Sequence, residues 1–193
     1  MLDLSLGLRN LRREYLWSNV RVIVLKDHED IMLPGTTIQL KRGTEITVPR
    51  WISKILEEKG VVEVKDTPMN INELGRYSFL EIHARTTSAT LQKLPIDFYQ
   101  KLRDYLEKLK ENIARKPSPE LVDEYRKARS YVYDILRIRL NRILALVQAG
   151  AESGEIRDEI NKLTPEELIL YKTIRKLLED WQKEVIGLEE PLI

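Results

Sequence analysis

Few side chains in this sequence are of the types that carry out chemistry, and fewer stand at useful spacings. The two histidines, His28 and His83, have no cysteine or further histidine with which to complete a transition-metal site. Asp27, His28, Glu29 and Asp30 form a charged run able to hold a weak cation, but the run lacks the ligand order of a calcium loop. A solvated loop between strands is the reading adopted for it. His83 falls on the apolar face of an expected helix, where a packing role is expected. No glycine-rich phosphate cradle, nucleophile elbow or paired-carboxylate motif occurs, and the eight glycines stand mostly at turns or element ends. The sequence therefore points away from an enzyme, a metal site or a bound cofactor.

Two basic features remain. Lys41 and Arg42 sit at the tip of an expected hairpin and are the candidate nucleic-acid contact, with Trp51 as a stacking ring, although a charged tip is also an ordinary solvated turn. Arg137, Arg139 and Arg142 punctuate a long helix, the last two about one turn apart. Such a pattern suits a solvated face, an acidic partner or a phosphate track. The planar fork of arginine favours pairing with carboxylates at interfaces, so protein contact ranks above nucleic acid. Lysine and arginine number 32 against 31 acids, which leaves no overall charge to attract a polyanion. The lack of cysteine fits a reducing cytoplasm, and the charges among Asp3, Arg9, Arg12, Arg13 and Glu14 leave no room for an apolar signal core. No membrane-spanning run is expected.

These residues must be positioned by elements of two kinds. Val20–Leu25 is a β-branched run, and 36–48 alternates Ile38, Leu40, Ile46 and Val48 about Lys41-Arg42-Gly43-Thr44, which predicts strands joined by a hairpin. Pro49 then opens a helix over Arg50–Glu58 with Trp51, Ile52, Ile55 and Leu56 on one face, ended by Gly60 before a strand over Val61–Val64. Past Pro68 the period becomes helical. Ile71, Leu74, Phe79, Leu80 and Ile82 predict a helix weakened by the threonines at 86, 87 and 90. Pro95 marks the start of another, with Phe98, Leu102, Tyr105, Leu106, Leu109 and Ile113 at spacings of three and four. Ser118-Pro119 opens a helix of about 30 residues, roughly 45 Å, that ends at Gly150 and is longer than the chain's own core needs. A polar connector over Gly150–Lys162 leads to Thr164-Pro165-Glu166-Glu167, a capping box that opens the last helix.

The expected fold is α+β and predominantly α. A small strand-rich domain with an N-terminal helical segment spans 1–70, and a helical-bundle domain spans 71–193. The extended stripes make Tyr125, Ile135, Tyr171 and Trp181, together with Arg139 and Arg142, the candidate partner interface. Trp51 is expected in the core of the small domain.

Several runs resemble the GINS family. Thr47-Val48-Pro49-Arg50-Trp51-Ile52-Ser53-Lys54-Ile55-Leu56, followed by Val61-Val62-Glu63-Val64, is similar to the small domain of GINS subunits. Leu94-Pro95-Ile96-Asp97-Phe98-Tyr99 resembles the entry to a GINS helix. Arg139-Leu140-Asn141-Arg142-Ile143-Leu144-Ala145-Leu146 resembles that family's arginine-bearing helix, and Leu163-Thr164-Pro165-Glu166-Glu167 the helix opening after it. The likeness runs from about residue 15 to residue 185. Arg50 departs from it, standing where an apolar residue often follows the proline, and 68–91 matches no pattern of the family. The order of domains resembles the archaeal subunit whose small domain comes first.

The resemblance implies a non-catalytic member of a four-subunit assembly, two such chains with two sister subunits of opposite domain order. It implies work at the replication fork beside the MCM helicase and a RecJ-like or Cdc45-like protein, with contacts to primase or polymerase machinery. In the cell this places the chain in the cytoplasm, at the nucleoid.

Overall fold

A computed structural model describes residues 4–33, 35–84, 91–149 and 154–187. The chain is α+β and mostly α, a strand-rich N-terminal region preceding a helical bundle. It divides into two compact units, Arg9–Pro68 and a second made of Met69–Ile193 with Met1–Leu8. Helix α1 (Leu4–Trp17) contributes to both.

In the strand-rich unit, β1 (Asn19–Val24) is central and antiparallel to both β4 (Glu45–Pro49) and β5 (Val62–Val64). Period-two alternation puts Val20, Val22 and Val24 on one buried face. Val48 stands opposite Val20, and Val62 opposite Val24. β2 (His28–Leu33) and β3 (Thr36–Leu40) form a separate antiparallel pair. The expected hairpin about Lys41–Thr44 is therefore not one: β3 and β4 belong to different sheets. The turn's hydrogen bonds explain why. Gly43, at φ +82°, donates its N–H to Val24 O at 2.8 Å, and Val24 N donates to Thr44 O at 3.0 Å, so the turn is held to the end of β1. The run Asp27–Asp30, expected as a loop, instead enters β2 at His28.

Helix α2 (Arg50–Glu58) lies where the sequence places it. Its end is a full Schellman closure, with Gly60 at φ +65° and N–H donors from Gly60 to Glu57 O and from Val61 to Leu56 O. Ile52, Ser53 and Leu56 face inward, Trp51 is half-buried against the same core, and Ile55 points outward. Arg50 donates to Asp66 at 3.0 Å and lies over the Tyr15 ring at 4.4 Å.

The helical unit contains α3 (Ile71–His83), α4 (Phe98–Arg115), α5 (Pro119–Ala149), α6 (Gly154–Ile160) and α7 (Pro165–Ile186). Asn70 caps α3 by accepting from the N–H groups of Asn72 and Glu73, both at 3.0 Å. Pro95 stands three residues before α4, and α6 occupies part of the stretch expected as a polar connector. The stop at Gly150 and the threonines at 86, 87 and 90 lie outside the described residues. Gly75 lets α3 approach α5, since a Cβ there would meet the Tyr131 ring at 3.2 Å. Two apolar clusters fill the unit. One gathers Leu74, Phe98, Leu102, Leu109, Ala128 and Ile135, and the other Leu91, Ile143, Leu146, Val147 and Tyr171.

Candidate interaction site

Ile135 belongs to the first cluster and Ile143 to the second, and Arg139 stands on α5 one turn from each. Helical period therefore aims its guanidinium into the interior at the junction of the two apolar regions. It is 1 % exposed and has four acceptors. Nε and Nη2 donate to the two carboxylate oxygens of Glu167 on α7, the Nη2 bond at 2.6 Å. Nη1 donates to Glu81 Oε1 on α3 at 2.7 Å and to Gln92 O at 2.8 Å. Arg142 donates to Glu81 Oε2 and, at 3.1 Å, to Glu81 O. Two arginines and two glutamates thus close a buried, charge-balanced cluster joining α3, α5 and α7.

Glu167 has a second duty. It is the third residue of α7 and completes the capping box: its Oε2 accepts from Thr164 N at 2.9 Å, and its own N–H donates to Thr164 Oγ1 at 3.4 Å. Tyr99 OH donates to Oε1 at 2.7 Å. The carboxylate therefore accepts four hydrogen bonds, about as many as its lone pairs can take. Beside it, Gln100 donates to Glu166 Oε1 at 2.7 Å. Burial first, then the charge and hydrogen bond of Glu167, push the Tyr99 phenol well above its ordinary pKa, with Arg139 opposing. For Arg139, burial disfavours the charged form, but pairing with Glu167 and Glu81 outweighs it and holds the guanidinium protonated.

The cluster corrects part of the sequence reading. Arg139 and Arg142 were expected to meet carboxylates of a partner, yet both are committed to carboxylates of their own chain. Ile135 and Tyr171 are likewise buried in the chain's own interior, and Tyr125 is half-buried beside the first cluster. Of the six residues, Trp181 is the one that faces outward, 56 % exposed. Glu81 is not among the expected site residues, and its place as a lone acid in Phe79-Leu80-Glu81-Ile82 is the sequence sign of its internal pairing. His83, expected in packing, is exposed and stacks on Phe79 at 4.0 Å between ring centroids.

Two rows of apolar side chains face outward. On α5, Tyr133, Leu136, Leu140 and Leu144 follow spacings of three, four and four and are all exposed. On α7, Leu177, Trp181 and Val185 repeat every four residues and are more than half exposed. Rows at such spacings lie on one helix face, and they continue the buried stripe beyond what the chain itself covers.

In the strand-rich unit Lys41 and Arg42 are exposed at the turn, where Arg42 N donates to Asp27 Oδ1 at 2.8 Å. The Trp51 ring packs against the core and meets the edge of Trp17 at 5.9 Å, so it is not an open stacking platform. Among the described residues no group of three or more His, Asp or Glu could hold a metal ion, and no helix is long and apolar enough to cross a membrane.

Comparison with known proteins gives one family. The model of Sld5, the GINS complex protein helical bundle domain, matches residues 63–186, from β5 through the end of α7. No curated protein matches the chain. The match covers more than half of the sequence, including every helix that builds the arginine cluster and both exposed rows, and the chain belongs to the GINS family.

Proposed function

We propose that this GINS-family chain is a non-catalytic scaffold subunit of the archaeal type with the small domain first, and an accessory factor of the MCM replicative helicase. It assembles with a sister subunit of opposite domain order in a two-plus-two tetramer. That assembly works with a RecJ-like or Cdc45-like protein and touches primase or polymerase machinery. The observation that carries this reading is the pair of uncovered apolar rows on α5 and α7, within the part of the chain that matches the family's helical bundle. Burial of apolar area at roughly 25 cal/mol per Å² is the driving force such rows offer, before ordering costs are subtracted.

The test is co-purification of the tagged chain from its source cell, read by mass spectrometry, followed by size-exclusion chromatography with the sister subunit. Leu136→Glu with Leu140→Glu, and separately Trp181→Glu, are expected to abolish or weaken the complex by at least tenfold while leaving the helical signal of the chain intact. A complex unaffected by both changes would place the interface elsewhere and remove the main support for this reading.

A further inference from the structure

We infer that the Glu81–Arg139–Glu167–Arg142 cluster is a register lock, which selects one seating of α7 on α5 that the apolar contact between these helices leaves open. The inference concerns the chain's own fold and does not depend on the assembly proposed above. The apolar seam at this contact gathers Ile143, Leu146 and Val147 of α5 with Tyr171 of α7, and Ile174 and Leu178 pack against it. Apolar burial has no direction, and aliphatic surfaces of similar volume repack at small displacement.

The cluster is directional in a way the seam is not. The Arg139 fork reaches both oxygens of Glu167, and the same carboxylate caps α7 through Thr164. Sliding α7 by one helical turn, which keeps its apolar face toward α5, would shift it by about 5.4 Å. Both prongs of the fork would then break, leaving buried charges unpaired. Glu81 bridges Arg139 and Arg142, so α3 is referenced to the same point. A buried ionic cluster contributes little net stability relative to apolar side chains of similar size, while its geometry admits few alternatives. Arg139 is thus a positioning residue. What it positions is the α7 row Leu177, Trp181 and Val185 relative to the α5 row.

The chain contains no cysteine, so spin labels can be placed at will. Cysteines replacing the exposed Arg137 on α5 and Lys176 on α7 report the distance between the helices, in samples diluted with unlabelled chain. The parent is expected to give one narrow distance distribution. An apolar variant, Glu81→Leu, Arg139→Met, Arg142→Met and Glu167→Gln, keeps a capping residue on α7. It is expected to retain helicity and a thermal midpoint within a few degrees of the parent, yet to show a distribution at least twice as broad or split. Arg139→Lys keeps the charge but loses the fork, and is expected to broaden the distribution as well. A parent-like width in either variant overturns the inference. So does loss of the helical signal in the fourfold variant, because the cluster would then be stabilising the unit rather than choosing its register.

Discussion

The two units solve the same problem by opposite means. The strand-rich unit has a core of Val20, Val22, Val24, Leu40, Val48, Ile52, Leu56, Val61 and Val62 with no ion pair in it: Arg21 with Glu45 is exposed and Arg50 with Asp66 half-buried. The helical unit carries four charged side chains into its interior, three of them between fully buried and 4 % exposed as side chains and Arg142 at 6 %. In a sheet the period-two apolar pattern already sets register along the backbone ladder, since a slip of one residue would turn Val20, Val22 and Val24 to solvent. Helices spend their backbone hydrogen bonds internally, and their packing is set by side chains alone. A directional contact has more to decide there.

The sharpest way to break this comparison is Arg139→Met, which leaves Glu167 with no cation in the interior and Glu81 with Arg142 alone. Loss of one partner from a buried ion cluster is expected to destabilise by about 3–5 kcal/mol, read from denaturant unfolding of the helical signal. A loss under about 1 kcal/mol would mean that water already reaches the cluster. In the other unit, Leu40→Ala removes a side chain 1 % exposed at the point where β3 meets the apolar core, and is expected to cost about 2–5 kcal/mol. Amide exchange should quicken in β1, β4 and β5 and stay unchanged in α5 and α7.

Tyr99→Phe tests the rim of the cluster. Losing a buried hydrogen bond to a carboxylate should lower stability by about 1.5–3 kcal/mol at neutral pH. The same change alters the alkaline limb. The folded-state pKa of Tyr99 is raised by burial and then by Glu167, so its contribution is whole below the unfolded tyrosine value of about 10 and is lost as pH rises beyond it. Tyr105, raised by burial and by its hydrogen bond to Glu124, acts in the same sense. Unfolding measured at stepped pH should show the parent losing stability above about pH 10 more steeply than Tyr99→Phe. Thr164→Ala, which removes the hydroxyl half of the capping box, should cost about 1 kcal/mol by the same denaturant measurement. Smallest of all, Lys41→Ser with Arg42→Ser alters exposed side chains at the turn and should leave stability within about 0.5 kcal/mol. Unchanged retention on single-stranded DNA would separate this turn from nucleic-acid binding, and a large drop would favour that function instead.

Local signals were legible along the sequence. Arg50–Glu58, Pro119–Ala149 and Pro165–Ile186 announce themselves by proline, period and caps, because each such signal involves residues within a turn or two of one another. The runs about Trp51, Phe98 and Arg139 also carry the family's likeness. Other outcomes depended on residues far apart in the chain. Whether β4 pairs with β3 or with β1 turns on competition for one strand edge, and β1 lies more than twenty residues upstream of its partner. Whether Arg139 meets a partner or its own chain turns on Glu81 and Glu167, 58 and 28 residues away. Period marks a residue as facing inward without naming what it meets. Arginines read as an interface are thus interior, and Leu136, Leu140 and Leu177 join the expected Trp181 on the outward faces. Sequence by itself determined the long helices and their apolar stripes, since those follow from neighbouring residues. Only the tertiary structure decided how much of each stripe the chain covers, because that depends on which helices pack together and where each one stops.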